Sequence, residues 1–396
     1  MYLHVGHAKT GSSFIQSVFA RNIDALAAAG IHYPPLGDPE EIAQGRISSG
    51  NGKLLLDDIA ALAPMPAGCR GVLFSREQFF HELTEAPLRH NVAAAARFYG
   101  CDRVEILLFI RDPIGSMIST YQQGVKRGGM TASLSEFAAG FNTPMAVFER
   151  LKSLLAEPAY TVTVRNYSRC KDRLADVAMA WLGLPDLPFV LPDNTQVNRS
   201  LTAGELAFQR ALNRVLGTSG GLVADPLCEE LPQIPTPPLA LTEAEQSAVL
   251  DRLAPSLAAA NALIAPEHHY RADPVPPQDD TDDLTLSRAQ IDIIARSMGE
   301  EIQRLRQSND GLRSVVSLLH ARRHIASEDL DEAEAHLRRS VGFNGRNMDA
   351  VLTLADVLMQ KGGDRDEIDA LLKTGRGIDS GNRRLERLTR RFAKTG

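Results

Sequence analysis

Lys9, Thr10, Gly11, Ser12 and Ser13 follow a short apolar run, Tyr2–Val5, and precede a segment with apolar residues at Phe14, Val18 and Leu26. A strand, a Gly- and Ser-containing turn and a helix in that order gather free backbone N–H groups at the positive end of a helix dipole. Gly11 permits close backbone approach and Lys9 adds a mobile positive charge. The chemistry implied is anion binding. Gly6 and Gly11 have the separation of a nucleoside-triphosphate loop, but Ser12 stands where that loop needs its lysine. The lysine comes too early. A second anion ligand is Arg111, which ends the apolar run Val104–Ile110. A guanidinium gives two parallel charge-assisted bonds to phosphate oxygens, and Ser119, about two helical turns further on, can face the same phosphate. Arg111 also intervenes before Asp112, so the carboxylate that a magnesium–triphosphate site expects directly after this run is missing. Taken singly, Arg111 equally suits an ion pair and Ser119 a helix surface.

Four apolar runs position these residues: Tyr2–Val5, Gly71–Phe74, Val104–Ile110 and Tyr160–Val164. Helical segments separate them, which predicts an α/β fold, a parallel sheet flanked by helices with a phosphate-binding strand-loop-helix. Ligands of such sheets collect at the carboxyl ends of the strands, here Gly6–Ser13, Ser75–Glu77, Arg111–Asp112 and Asn166–Tyr167. Asp112 suits the N-cap and Pro113 the first position of the following helix. Residues 215–241, rich in Gly, Pro and Leu, read as a long loop lying over the site or on the surface.

The 396 residues predict two or three domains, and 44% hydrophobic with 23% charged residues is a globular composition. A net charge of -6 excludes a global attraction to nucleic acid. Cys69, Cys101, Cys170 and Cys228 lie far apart without metal or disulfide spacing, and the adjacent His268 and His269 diverge, so no metal is expected. The N-terminus shows neither a basic leader nor a long apolar run, which predicts a cytoplasmic protein without a transmembrane segment.

Residues 1–272 read as the α/β domain and 273–284 as an acidic, Pro-containing linker. Residues 285–321 read as a long amphipathic helix, and 322–396 as an all-α helical region. Met298, Ile302, Leu305, Asn309, Leu312, Val316 and Leu319 alternate spacings of four and three, a heptad seam with one polar position. That seam predicts either a homodimer through 291–319 or packing against the following helices of the same chain. Leu330-Asp-Glu-Ala-Glu-Ala-His-Leu and Asp366-Glu-Ile-Asp-Ala-Leu-Leu resemble degenerate tetratricopeptide repeats, a surface for a protein partner. The basic segment Arg383–Lys394 reads as a solvated capping helix.

The two anion motifs together resemble those of the sulfotransferase family, over about residues 1–270. Lys9-Thr-Gly-Ser-Ser is similar to its 5′-phosphosulfate loop, and Arg111-Asp-Pro with Ser119 to its 3′-phosphate motif. Leu3-His-Val-Gly-His-Ala-Lys-Thr-Gly-Ser-Ser, Tyr121-Gln-Gln-Gly-Val-Lys-Arg and Val197-Asn-Arg-Ser-Leu look like bacterial members that act on carbohydrates. The resemblance implies 3′-phosphoadenosine-5′-phosphosulfate (PAPS) as donor, 3′,5′-adenosine bisphosphate (PAP) as product, and a glycan or glycolipid hydroxyl as acceptor. It places Lys9, Thr10, Gly11, Ser12 and Ser13 on the 5′-phosphosulfate and Arg111 and Ser119 on the 3′-phosphate. Tyr167 would stack on adenine and Arg199 would close over the 3′-phosphate. Two departures touch the nucleoside contacts: Phe14 replaces a frequent Trp, and Tyr167-Ser-Arg a frequent Tyr-Glu-Asp.

Sulfuryl transfer needs charge stabilisation on the leaving phosphate, for which Lys9 is placed, and a base for the acceptor proton. Glu77 takes the position where carbohydrate sulfotransferases carry a Glu, with Arg76 nearby to keep it ionised. His7 and His81 are alternative bases, since imidazole titrates near working pH. Two other readings remain: a P-loop-like nucleotide kinase or hydrolase, and a non-catalytic scaffold acting through the helical repeats.

Overall fold

Alternation along the first strand, β1 (Tyr2–Val5), sets the layers: Leu3 and Val5 point to one face of the sheet and His4 to the other. The structure is a computed structural model describing residues 1–7, 9–36, 50–57, 59–192, 199–236, 239–276 and 285–394. β2 (Ile31–His32), β3 (Gly71–Arg76), β4 (Val104–Ile110) and β5 (Tyr160–Asn166) complete a five-stranded parallel sheet of order β2-β3-β1-β4-β5. β2 has only two residues, too few for a periodic signal, and is defined by its pairing with Gly71 and Val72.

Helices cover both faces, each burying one apolar stripe. Leu3, Val5, Val72, Phe74, Ile106 and Leu108 share a core with the helices Ala86–Phe98 and Pro113–Arg127. Leu73, Leu107 and Phe109 share another with Ser12–Arg21 and Leu174–Trp181. The helices that follow β1 and β4 therefore leave adjacent strands on opposite faces. Divergence of this kind opens a crevice at the carboxyl ends of the two strands. His4 lies in the second core, its Nδ1 2.7 Å from the Ser75 hydroxyl, and burial pushes its pKa down to about 3. It is a neutral core residue.

Asp112 and Pro113 occupy the N-cap and first-turn positions expected of them, yet the Asp112 carboxylate makes no capping bond. It accepts instead from Asn166 Nδ2 at 2.8 Å, Arg169 Nη1 at 3.1 Å and the Arg271 backbone N–H at 3.0 Å. These bonds fasten the ends of β4 and β5 together. Residues 215–241 are not the continuous loop the composition predicts: they carry a 3₁₀ turn, Gly220–Leu222, and a helix, Ala224–Glu230. Ala224, Leu227 and Cys228 bury one face of that helix at three- and four-residue spacing, a pattern too short to stand out among the surrounding glycines and prolines.

Contacts divide the chain into two compact units, 1–294 and 295–396. The long helix Arg288–Ala326 begins in the first of them, where Ile293 and Ile294 are buried and Gln290 Nε2 donates to Glu205 Oε1 at 2.7 Å. The linker expected at 273–284 falls mostly on 277–284, outside the described residues. The second unit holds two helical hairpins, Leu330–Phe343 with Met348–Lys361 and Arg365–Ile378 with Arg383–Lys394. Their starts, 330 and 365, then 348 and 383, repeat at 35 residues. Leu337, Leu352, Leu358, Ile368, Leu372 and Leu385 form their shared core. Among the described residues no helix is long and apolar enough to cross a membrane.

Candidate functional site

The loop between β1 and its helix is tightly wound. Lys9 has φ 65° and Gly11 φ 79°, both in the left-handed region. For lysine this conformation costs about 1–3 kcal/mol, strain that collects at functional sites. Gly11 is required twice over: its φ suits glycine, and an added Cβ would lie 2.6 Å from Leu174 Cδ1. Thr10, fully buried, donates its hydroxyl to the His7 carbonyl at 2.6 Å. In this way its hydroxyl braces the loop. Ser12 is buried and its Oγ has no partner among the described residues. An unpaired buried hydroxyl at a helix start is a donor awaiting an acceptor. Gly6 makes room for it, since a Cβ there would stand 2.1 Å from Ser12 Oγ. Ser13 is exposed.

Lys9, Gly11, Arg111, Ser119, Tyr167 and Arg199 line a single cleft of about 340 Å³. Arg111 reaches across it, donating from Nη1 to the Lys9 carbonyl at 3.2 Å, with its guanidinium carbon 5.3 Å from the Tyr167 ring centroid. Burial pushes the Arg111 pKa down, and among the described residues Arg111 forms no ion pair. A desolvated cation facing a polar cleft favours an arriving anion. Gln122, Gln123 and Lys126 complete the same wall. The sequence marked them only as part of the Tyr121–Arg127 motif, without a site role, although 119, 122, 123 and 126 fall on one helical face, the signal that places them with Ser119. Lys126 is buried, 3.5 Å from Asp225. Among the described residues that line the cleft, none is acidic.

Arg199 lines the cleft, but its guanidinium is engaged by the protein. Its Nε donates to the Leu231 carbonyl at 2.7 Å, Nη1 to Glu205 Oε2 at 2.6 Å and the Ser200 carbonyl at 2.9 Å. Nη2 donates to Glu205 Oε1 at 2.7 Å and the Leu227 carbonyl at 3.0 Å. All five N–H donors are engaged, so its guanidinium has none left for a phosphate. Its neighbours Val197 and Asn198 lie outside the described residues. Arg199→Ala leaves the Glu205 carboxylate buried without its counterion, and is expected to cost about 3–5 kcal/mol in denaturant unfolding. Undiminished stability with lost nucleotide binding would return Arg199 to the ligand.

Glu77 stands just beyond β3, outside the lining of the cleft but within electrostatic reach of Lys9. Burial pushes the Glu77 carboxyl above the usual glutamate value, opposed by the Lys9 charge. Lys9 is lowered, chiefly by burial and further by Lys126, Arg127 and Arg111, with Glu77 opposing. Arg76 is not the counterion of Glu77: it pairs with both oxygens of Glu82 at 2.8 Å. The pair that matters is Glu77 with Lys9. His7 is buried with its ring edge-on to Phe80, centroids 4.8 Å apart. His81 is exposed, and burial of part of its ring and the Arg150 charge lower its pKa. Among the described residues no cluster of three or more His, Cys, Asp or Glu side chains could hold a metal ion. Comparison with protein-family models, with curated proteins and with solved structures gives no match.

Proposed function

We propose that this chain transfers the sulfuryl group of PAPS to a hydroxyl of a glycan or glycolipid. The observation that carries this reading is the single cleft lined by Lys9 and Gly11 from the loop after β1 and by Arg111 and Ser119 from the end of β4 and its following helix, with no acidic side chain among the described lining residues. A donor anionic at both ends, a phosphosulfate and a 3′-phosphate, matches two separate cationic points. In the reaction the acceptor oxygen forms a bond to sulfur as the bond from sulfur to the 5′-phosphate oxygen breaks. The acceptor proton passes to Glu77, and the charge left on the phosphate of PAP is met by Lys9 and the Ser12 hydroxyl. The acceptor class rests on the resemblance to carbohydrate-sulfating proteins alone.

A magnesium-dependent kinase or hydrolase fits less well, because Asp112, the nearest carboxylate after β4, is held by Arg169, Asn166 and the Arg271 backbone. Calorimetry separates the two readings. PAP without magnesium is expected to bind more tightly than ATP with magnesium; the reverse order would remove the basis of the sulfotransferase reading. Incorporation of radiolabelled sulfate from PAPS into a panel of glycans and glycolipids then identifies the acceptor, and donor-dependent product excludes a mere scaffold.

Arg111→Ala should act on the 3′-phosphate. Loss of charge-assisted bonds worth about 1.5–3 kcal/mol weakens PAP binding roughly 10- to 150-fold. Binding of 5′-AMP, which lacks that phosphate, should change little. Equal losses for both nucleotides would mean that Arg111 serves the loop, through the Lys9 carbonyl, and not the ligand.

A further inference from the structure

The heptad seam of the long helix faces outward. Ile302 is 47% exposed, Leu305 52%, Leu312 66%, Val316 53% and Leu319 56%. A different face of the same helix meets the hairpins that follow. Leu318 and Ala321 are buried in their core, and Ser314 lies 3.0 Å from Ser340 Oγ and accepts from Asn347 Nδ2 at 2.9 Å. Among the described residues the seam therefore does not pack against the following helices, one of the two outcomes left open by the sequence. Five large aliphatic side chains in a continuous stripe about 26 Å long stand without a partner among the described residues.

We propose that a second copy of this chain covers the stripe, as a parallel two-stranded coiled coil over residues 298–319. Residue choice carries the argument. With Leu305, Leu312 and Leu319 at d, the a positions are Ile302, Asn309 and Val316. β-Branched side chains at a with Leu at d favour two strands, and a single Asn at a fixes register by pairing with its own counterpart. Charge then selects orientation. Glu301 falls at g and Arg306 at the following e, positions that face each other across a parallel pair. Glu301 now accepts from Arg304 of its own helix, Nε and Nη2 both at 2.7 Å, and would share that bond with the partner's arginine. An antiparallel pair would instead set e against e, bringing Arg306 and Arg313 of the two copies together. Gly299 and Gly311 fall at e and c, outside the seam, where they lower helix propensity without interrupting the apolar contact. This inference is independent of the chemistry proposed for the α/β unit.

Sedimentation equilibrium of the full chain at micromolar concentration should give twice the 43.1 kDa chain mass. The double substitution Leu305→Lys with Leu312→Lys should give a single-chain mass with unchanged helical circular dichroism, since both side chains are exposed. Orientation is read by Leu319→Cys, which in a parallel pair faces its own counterpart near one end of the seam. Oxidation should then give a covalent dimer on a non-reducing gel. The chain with its four native cysteines, none of them in the seam, is the control and should give none. A monomer, an assembly larger than two, a dimer that survives the lysine pair, or a dimer without the Leu319→Cys cross-link would each overturn the proposal.

Discussion

Replacing Glu77 by Gln is expected to lower sulfuryl-transfer turnover by about 10²–10⁴-fold, the range for loss of a positioned general base. PAP affinity should not fall, because the change removes a negative charge beside a site built for anions. The pH profile distinguishes a base from a structural carboxylate. In the native chain kcat/KM should rise with pH as Glu77 loses its proton, and that limb should stand above the ordinary glutamate range because burial outweighs the attraction of Lys9. It should fall again as Lys9 loses its proton, below the ordinary lysine range, because burial and the neighbouring cations oppose its charge. In Glu77→Gln the acidic limb disappears. The alkaline limb moves lower still, since Glu77 is the group whose charge holds the Lys9 proton. Unchanged turnover in Glu77→Gln would transfer the base role to His7 or His81.

Lys9→Ala should reduce kcat by about 10²–10³-fold, the effect of removing one preorganised group from the site where charge develops on the leaving oxygen. Lys9→Gly is the sharper variant. The backbone at Lys9 has φ 65°, a conformation glycine adopts without strain, so this substitution should keep or raise the melting temperature while lowering turnover as much as Lys9→Ala does. Losing activity together with stability in Lys9→Gly would point to damage of the loop; losing activity alone assigns the role to the ammonium group. Turnover that survives in both variants would overturn the proposed chemistry, since no other cation leaves the same loop.

Local elements were legible from the chain alone. The first, third and fourth apolar runs become β1, β4 and β5 because alternation and β-branched content depend only on near neighbours. Asp112-Pro113 marks the start of its helix for the same reason, although the structure turns the carboxylate away from capping. Illegible were β2, whose two residues carry no period, and the helix Ala224–Glu230, masked by flanking glycine and proline.

By itself the sequence determined the parallel α/β arrangement, the glycine-containing loop around Lys9 and the heptad pattern of the long helix. These follow from periodicity and backbone preference within a few residues. Only the tertiary structure decided which charges meet. It brings Arg111 to the carbonyl of Lys9 across a separation of 102 residues, gives Arg76 to Glu82 rather than Glu77, and ties every donor of Arg199 into a buried network. It also turns the apolar seam outward. Charge interactions act over a few ångströms of space, and the packing of distant segments, which no local pattern records, sets which groups come that close.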